Sequence, residues 1–290
     1  MNDRLTQTEL EREMERFGVP AAQVRRDHAI SHLLAALSDA PDLADGLLFF
    51  GGTALGRTHL PDGRLSEDID LIALNDRRTT VERLVRTVER GLLRSHGRVV
   101  WTVPFTRRDT EPAVLTLPDS ITIRIQVLAH DGYEPWPRQW HDLEQRYSDA
   151  PPARLQVPAL ESFVAWKTVA WFDRRAPRDL WDLWALAEQD AITPAAAQLF
   201  VRHGPIGAPP QPHMFARPPT EDEWSRHLSH QTRLTVTAQE ALLAVKTAWV
   251  NAVAAPHRPG SAVGAEVGRS GLGRGVPWAN RAGLGAGSGG

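Results

Sequence analysis

Residues 47–74, LLFFGGTALGRTHLPDGRLSEDIDLIAL, decide the reading of this chain. An apolar run breaks at Gly51-Gly52-Thr53, and after an arginine-bearing loop the chain returns as Ser66-Glu67-Asp68-Ile69-Asp70-Leu71. The apolar runs GLLFF at 46–50 and IDLIAL at 69–74 predict two strands, with a short helix after the glycines cut off by Pro61-Asp62-Gly63. Side chains at i and i+2 of a strand share a face, so Asp68 and Asp70 project together while Ile69 points into the core. Carboxylates about 7 Å apart or less repel unless a cation sits between them. A sparse set of hard oxygen ligands suits Mg²⁺, which keeps waters and substrate phosphates in its shell.

The glycines complete the pattern. Gly51-Gly52-Thr53 opens a helix after a strand, where a backbone without side chains can approach a ligand and free N–H groups can hold phosphate oxygens. Alone, a Gly-Gly-Thr is a turn and an Asp-x-Asp a solvated strand end. In the order strand, glycines, helix, loop, Asp-Ile-Asp strand, they predict nucleotide transfer. In that chemistry metal ions align an attacking hydroxyl with the α-phosphate and neutralise the departing pyrophosphate.

Outward from this stretch the chain divides in two. Upstream, QVRRDHAISHLLAAL carries apolar residues at helical spacing and leads into the first strand. Downstream come an amphipathic helix at 79–96 and β-rich segments at 98–105, 112–117 and 120–128, the last alternating strictly as SITIRIQVL. This layout predicts an α/β lobe with a small mixed sheet over residues 1–150, its core about 20–130. From Pro158, expected at a first helical position, the pattern turns helical and predicts a second, mostly helical lobe over 151–255. The glycine-rich stretch 256–290 lacks periodicity and is expected to be a disordered tail.

Composition narrows the classes. The net charge is -2, so any polyanion site must be a local patch such as Arg174/Arg175 or Arg107/Arg108. The absence of cysteine excludes disulfide scaffolds and thiolate metal sites. The N-terminus is charged and no segment has the roughly 20 apolar residues that span a bilayer, so a soluble, cytoplasmic protein is expected. P-loop, Rossmann and zincin motifs are absent. His130, His141 and His213 show no metal-ligand spacing, and the eleven histidines are each expected at the surface or at a helix end.

Only two of the 33 basic residues are lysines, Lys167 and Lys246. A lysine in the middle of the apolar helix around Trp166 and Val169 suggests a place where a compact ammonium serves and a guanidinium does not. Arg174 and Arg178 follow near the same face and extend a positive stripe toward a cleft. Trp166, Trp171, Trp181 and Trp184 sit at helical spacings and are expected mostly in the core, with one or two available to stack on a base.

In Gly51-Gly52-Thr53-Ala54-Leu55, Arg64-Leu65-Ser66-Glu67-Asp68-Ile69-Asp70-Leu71, Lys167 and Arg178-Asp179-Leu180-Trp181-Asp182-Leu183, the chain resembles the nucleotidyltransferase superfamily of the DNA polymerase β type. More narrowly it resembles the AbiEii/AbiGii toxin family, which includes MenT-like toxins. The likeness covers roughly residues 20–190. It implies a bilobal Mg²⁺-dependent enzyme, with Mn²⁺ as the alternative ion, that moves a nucleotide from an NTP to the 3′ end of a tRNA. It also implies a toxin–antitoxin or phage-abortive-infection setting with a cognate antitoxin protein. Carried over residue by residue, Asp68 and Asp70 resemble the metal ligands. Ser66 and the Gly51-Gly52-Thr53 backbone resemble triphosphate contacts, Lys167 the phosphate-binding lysine, and Asp182, or else Asp179, a late active-site acid.

Two positions depart from the family. Gln126 stands where a third carboxylate is expected, which would pass deprotonation of the hydroxyl to Asp182. Phe50 stands where relatives carry a basic residue. The alternatives are a small-molecule acceptor such as an aminoglycoside, a protein acceptor, or a catalytically weak homologue that binds RNA or a partner.

Overall fold

The computed structural model describes residues 5–131, 133 and 136–255. Helix α1 (Gln7–Phe17) opens on a capping box between Thr6 and Glu9 and ends at Gly18, whose φ of 67° is left-handed. Helix α2 (Ala21–Ser38) has no solvent face in its second half. Ile30, Leu33, Leu34 and Leu37 have no exposed surface, so the helix lies within the core. The single turn α3 (Pro41–Ala44) leads into β1 (Leu47–Phe50), and α4 (Gly51–Gly56) follows it directly.

Strand β2 (Asp68–Ala73) returns antiparallel to β1. Helix α5 (Arg77–His96) starts at Asp76, whose carboxylate accepts from the Thr79 N–H at 2.9 Å. It buries Leu84, Val88 and Leu92, one per turn, each worth about 1.5–3 kcal/mol. The strands β3 (Val100–Val103), β4 (Ala113–Thr116), β5 (Thr122–Ala129), β6 (Arg138–Leu143) and β7 (Ala153–Pro158) complete a seven-stranded sheet in the order β3-β4-β5-β2-β1-β7-β6. Its centre is mixed: β2 runs parallel to β5, and β1 runs parallel to β7. Ile69, Leu71, Ile125 and Val127 fill its core, whereas the edges expose Val100 on β3 and Trp140 on β6.

The helices then form a layer of their own: α6 (Leu160–Arg174), α7 (Pro177–Glu188), α8 (Pro194–His203), a 3₁₀ turn at Pro212–Phe215, α9 (Glu221–Leu228) and α10 (Ala238–Ala254). Helix α7 packs against α6, α9 and α10. Two buried tryptophans tie the layer together through their indole N–H groups: Trp171 donates to Met214 O at 3.0 Å and Trp224 to Val236 O at 2.9 Å.

The α/β lobe with a mixed sheet and the helical lobe are both present, but their junction moves. The expected boundary at 150 cuts the sheet, since β7 pairs with both β1 and β6 and the sheet therefore runs to Pro158. Pro158 ends a strand instead of opening a helix, and α6 begins at Leu160 with Ala159 as its cap. The tail expected at 256–290 lies outside the described residues.

Candidate active site

The register of three strands assembles the site. Phe50, the last residue of β1, lies opposite Asp70, and Asp70 lies opposite Gln126 of β5. Asp68 is likewise level with Arg124. Alternation therefore puts Asp68, Asp70, Arg124 and Gln126 on one face, where all four line a cavity of about 740 Å³.

The glycines are required by contact as well as conformation. Gly51 has a φ of +79°, and a Cβ there would overlap the Asp70 carboxylate. A Cβ on Gly52 would overlap the Arg64 guanidinium and meet Ser66 Oγ at 3.0 Å. The Thr53 hydroxyl donates to the Asp68 carbonyl, which links the start of α4 to the start of β2. Ser66 is buried at the cavity wall, and Thr53 is buried without lining it.

The two strand carboxylates differ. Asp68 is held by Arg124 through two bonds, Nε and Nη2 each at 2.8 Å, with Arg178 Nη1 at 3.8 Å. Asp70 has no hydrogen-bond or ion-pair partner among the described residues. Burial and the adjacent Asp68 push its pKa up to about 6, against the pull of Lys167, Arg174 and Arg178. A carboxylate crowded by a second one, open to a cavity and lacking a partner, lacks only a cation.

Across the cavity the helical lobe supplies a buried ionic network. Lys167 Nζ lies 2.5 Å from Asp182 Oδ2 and 3.4 Å from Asp179 Oδ1. Asp182 also takes two bonds from Arg64, at 2.8 and 2.9 Å, and Asp179 takes two from Arg174, at 2.6 and 2.9 Å. Arg64 donates further to Gln231 Oε1 at 2.6 Å, so the loop before β2 is fastened to the helical lobe at two points. Burial alone would raise Asp182, but Arg64 and Lys167 hold it below the ordinary carboxylate range. Asp179 is likewise held below that range: its burial would raise it, but Arg174 and Lys167 outweigh the burial. Asp182 does not line the cavity. It stands behind Lys167 and Arg64, with its charge committed to both. The sequence expectation of a proton-accepting Asp182 meets an acid whose surroundings keep it ionised and enclosed.

Sequence reasoning passed over several residues that shape the cavity. Arg124 could have been found by same-face spacing, since it sits two residues before Gln126 on an alternating strand. The apolar wall was legible only in part: Phe50 and Trp166 are singled out in the sequence, but their meeting with Phe163 is not. Phe50, Phe163 and Trp166 come from β1 and α6, with the Phe50 and Trp166 rings edge-on at 5.7 Å. The residue that departs from the family's basic pattern is thus part of a surface suited to a flat, weakly polar group. Among the four tryptophans expected mainly in the core, Trp166 alone lines the cavity. The histidine expectation fails at His28 and His32, which are buried side by side on α2.

Strands that place a glycine turn and two carboxylates together, opposite a cationic helical lobe, belong to the nucleotidyltransferases, and the chain is an enzyme of that class. Comparison with family models gives the particular group. Residues 32–247 match the model of the nucleotidyl transferase AbiEii toxin of type IV toxin–antitoxin systems, and the chain belongs to that family. Among solved structures it is similar to the nucleotidyltransferase toxin MenT4 from Mycobacterium tuberculosis H37Rv, with a TM-score of 0.64 and 20% identity over 87% of this chain and 91% of that one. At that identity the likeness concerns the fold. A search of the curated proteins found no match.

Proposed function

We propose that this toxin transfers a nucleoside monophosphate from an NTP to the 3′ end of a tRNA, with Asp68 and Asp70 holding Mg²⁺. The observation that carries the reading is the partnerless Asp70 carboxylate beside Asp68, facing a cavity with an apolar wall on one side and cations on the other. Both carboxylates present hard oxygens at the cavity, and the missing Cβ at Gly51 leaves room for the Asp70 carboxylate itself, so the donor set fits a divalent ion. When bound, such an ion supplies charge for the phosphate oxygens and acidifies the acceptor hydroxyl.

The chain's own residues do the rest. Phe50 and Trp166 offer the base a surface to lie against. Lys167, Arg174 and Arg178 face the triphosphate, with Ser66 and the Gly51-Gly52-Thr53 backbone at its other side. Asp182 acts by position: it keeps Lys167 and Arg64 extended toward the cavity and is not the base. Gln126 accepts or donates a hydrogen bond to the acceptor nucleotide without adding charge. No helix among the described residues is long and apolar enough to cross a membrane. We place the enzyme in the cytoplasm with its NTP and RNA, countered by a cognate antitoxin and acting in phage defence.

The test is label transfer. Purified protein is incubated with Mg²⁺, total tRNA and each α-labelled NTP in turn. A labelled RNA band is the expected outcome; label on a small molecule or protein instead would move the acceptor to that class. Absence of transfer with NTP binding retained would favour an inert binder, for which Gln126 in place of an acid is the supporting feature. An RNA acceptor also predicts salt sensitivity. About four phosphate contacts, drawn from Arg174/Arg175 and Arg107/Arg108, imply on the order of a 50-fold loss of RNA affinity between 50 and 200 mM salt. A flat response in a binding titration excludes RNA.

A pH prediction follows from Asp70. Its folded pKa is raised, so the folded chain retains a proton that the unfolded chain releases near pH 4. Between about pH 4 and 6 the ion-free protein therefore loses stability as pH rises, and above about 6 it carries the full cost of an ionised, crowded carboxylate. Mg²⁺ binds the ionised form. Thermal melts should show stabilisation by Mg²⁺ at pH 8 and little at pH 5, and Asp70→Asn should remove the difference.

A further inference from the structure

We propose a second metal site in this protein, formed by His28, His32 and Asp149 and taking a Zn²⁺-class divalent transition ion. Three segments distant in sequence meet here. His28 and His32 lie one turn apart on the same face of α2, Asp149 comes from the segment between β6 and β7, and His96 is the last residue of α5. The two imidazoles and the carboxylate are almost wholly enclosed, and none of the four residues lines the active-site cavity.

The donor atoms converge on one carboxylate at hydrogen-bonding distance. His28 Nε2 lies 3.0 Å from both oxygens of Asp149, and His32 Nε2 lies 3.1 Å from Oδ2 of the same carboxylate. One ligand atom from each residue falls within 4.8 Å of the others. Ligands about a tetrahedral Zn²⁺, with bonds of about 2.0–2.2 Å, are separated by about 3.3 Å. To reach that size the two edges to Asp149 would open by a few tenths of an ångström, and the His28–His32 edge, at most 4.8 Å, would close by up to about 1.5 Å. A nitrogen and oxygen donor set without thiolate suits Zn²⁺ or Co²⁺, with a water in the remaining position.

The surrounding groups orient the first ligand. His28 Nδ1 lies 3.2 Å from His96 Nε2, and His96 Nδ1 lies 2.9 Å from Ser95 Oγ. If His28 Nδ1 donates to His96 and His96 donates to Ser95, the lone pair of His28 Nε2 is left pointing at the Asp149 carboxylate. In the opposite tautomers a proton on Nε2 makes the contact to Asp149, and a bound metal would take the place of that proton. This is the usual arrangement of a ligating histidine, whose second nitrogen is hydrogen-bonded by a neighbour that fixes the ring. The tyrosine beside it belongs to a second buried network: Tyr147 packs edge-on to His28 at 5.0 Å and donates to Asp27, which in turn holds Arg57. An ion at the histidines would clip α2 to the segment that carries Asp149, beneath the strands that bear the active site.

The test uses the full chain purified without a polyhistidine tag. Elemental analysis is expected to find one equivalent of zinc per chain. Chelator-stripped protein titrated with Co²⁺ is expected to develop the visible d–d absorption of a nitrogen- and oxygen-ligated ion at one equivalent. The band should vanish in His28→Gln/His32→Gln, weaken about 10–100-fold in Co²⁺ affinity in His96→Phe, and persist in Asp68→Ala/Asp70→Ala. Folded wild-type protein with neither stoichiometric zinc nor a cobalt band would overturn the site. So would a band that survives the histidine double variant, or one lost with the Asp68/Asp70 pair. The wild-type titration does not depend on whether any variant folds.

Discussion

Asp70→Asn is expected to abolish nucleotide transfer while leaving the protein better folded than the wild type at neutral pH. The substitution keeps the shape of the side chain and removes one of two charges that crowd each other on β2. It relieves the repulsion with Asp68 and the cost of holding an ionised group at this position, so the melting temperature without added metal should rise. In the proposed mechanism the same substitution takes away an anionic oxygen that would hold the metal ion. If the cation there contributes about 4 kcal/mol to the transition state, its loss lowers kcat/KM on the order of a thousandfold. Loss of activity together with gain of stability separates this outcome from misfolding. Label transfer and thermal denaturation on one preparation would measure both. An Asp70→Asn protein that retains a tenth or more of wild-type transfer would remove Asp70 from the metal site.

Arg64→Met should have the largest effect on stability. Arg64 is buried, meets Asp182 through two bonds at 2.8 and 2.9 Å, and reaches Gln231 at 2.6 Å. Methionine fills much of the volume but leaves Asp182 with Lys167 alone and Gln231 without its partner. Breaking a buried ion pair by removing one member costs about 3–5 kcal/mol, because the other charge stays enclosed. The double variant Arg64→Met/Asp182→Asn should cost less than the sum of its parts, since the stranded carboxylate is gone. Urea unfolding of the four proteins in the cycle measures this. A loss under about 1 kcal/mol for Arg64→Met would mean that water reaches the pair and that the loop before β2 is not anchored through it.

In this AbiEii-family chain buried acids hold the cations that line the cavity. Asp182 takes up Arg64 and Lys167 from behind the cavity wall, and Asp179, at the wall itself, takes up Arg174 and Lys167. This fixes where the cations point. Lysine at 167 suits such a place, because a compact ammonium bridges two carboxylates from one helix where a planar fork would need more room.

Much of this was legible in the chain of residues. Alternation alone put Asp68 and Asp70 on one face, and the register of β2 with β5 then set Gln126 beside Asp70. The glycine turn was legible because only glycine tolerates the φ found at Gly51. The scarcity of lysine drew attention to Lys167 without any structure. Strands β6 and β7 were not legible. RQWHDL is polar and lies at an exposed edge, and ARLQVP ends in a proline that suggested a helix start, so neither carries a clear local pattern.

By itself, the sequence determined the nucleotidyltransferase class, the two-part order of sheet and helices, and the identity of the paired carboxylates. These rest on local periodicity and on residues whose conformational demands are absolute. Only the tertiary structure decided that Asp182 stands behind Lys167, that Arg124 clamps Asp68 while Asp70 stays unpartnered, and that His28, His32, His96 and Asp149 converge. Each depends on segments tens of residues apart coming within a few ångströms. Pairings of that kind are set by the packing of the whole core, and no spacing along the chain encodes them.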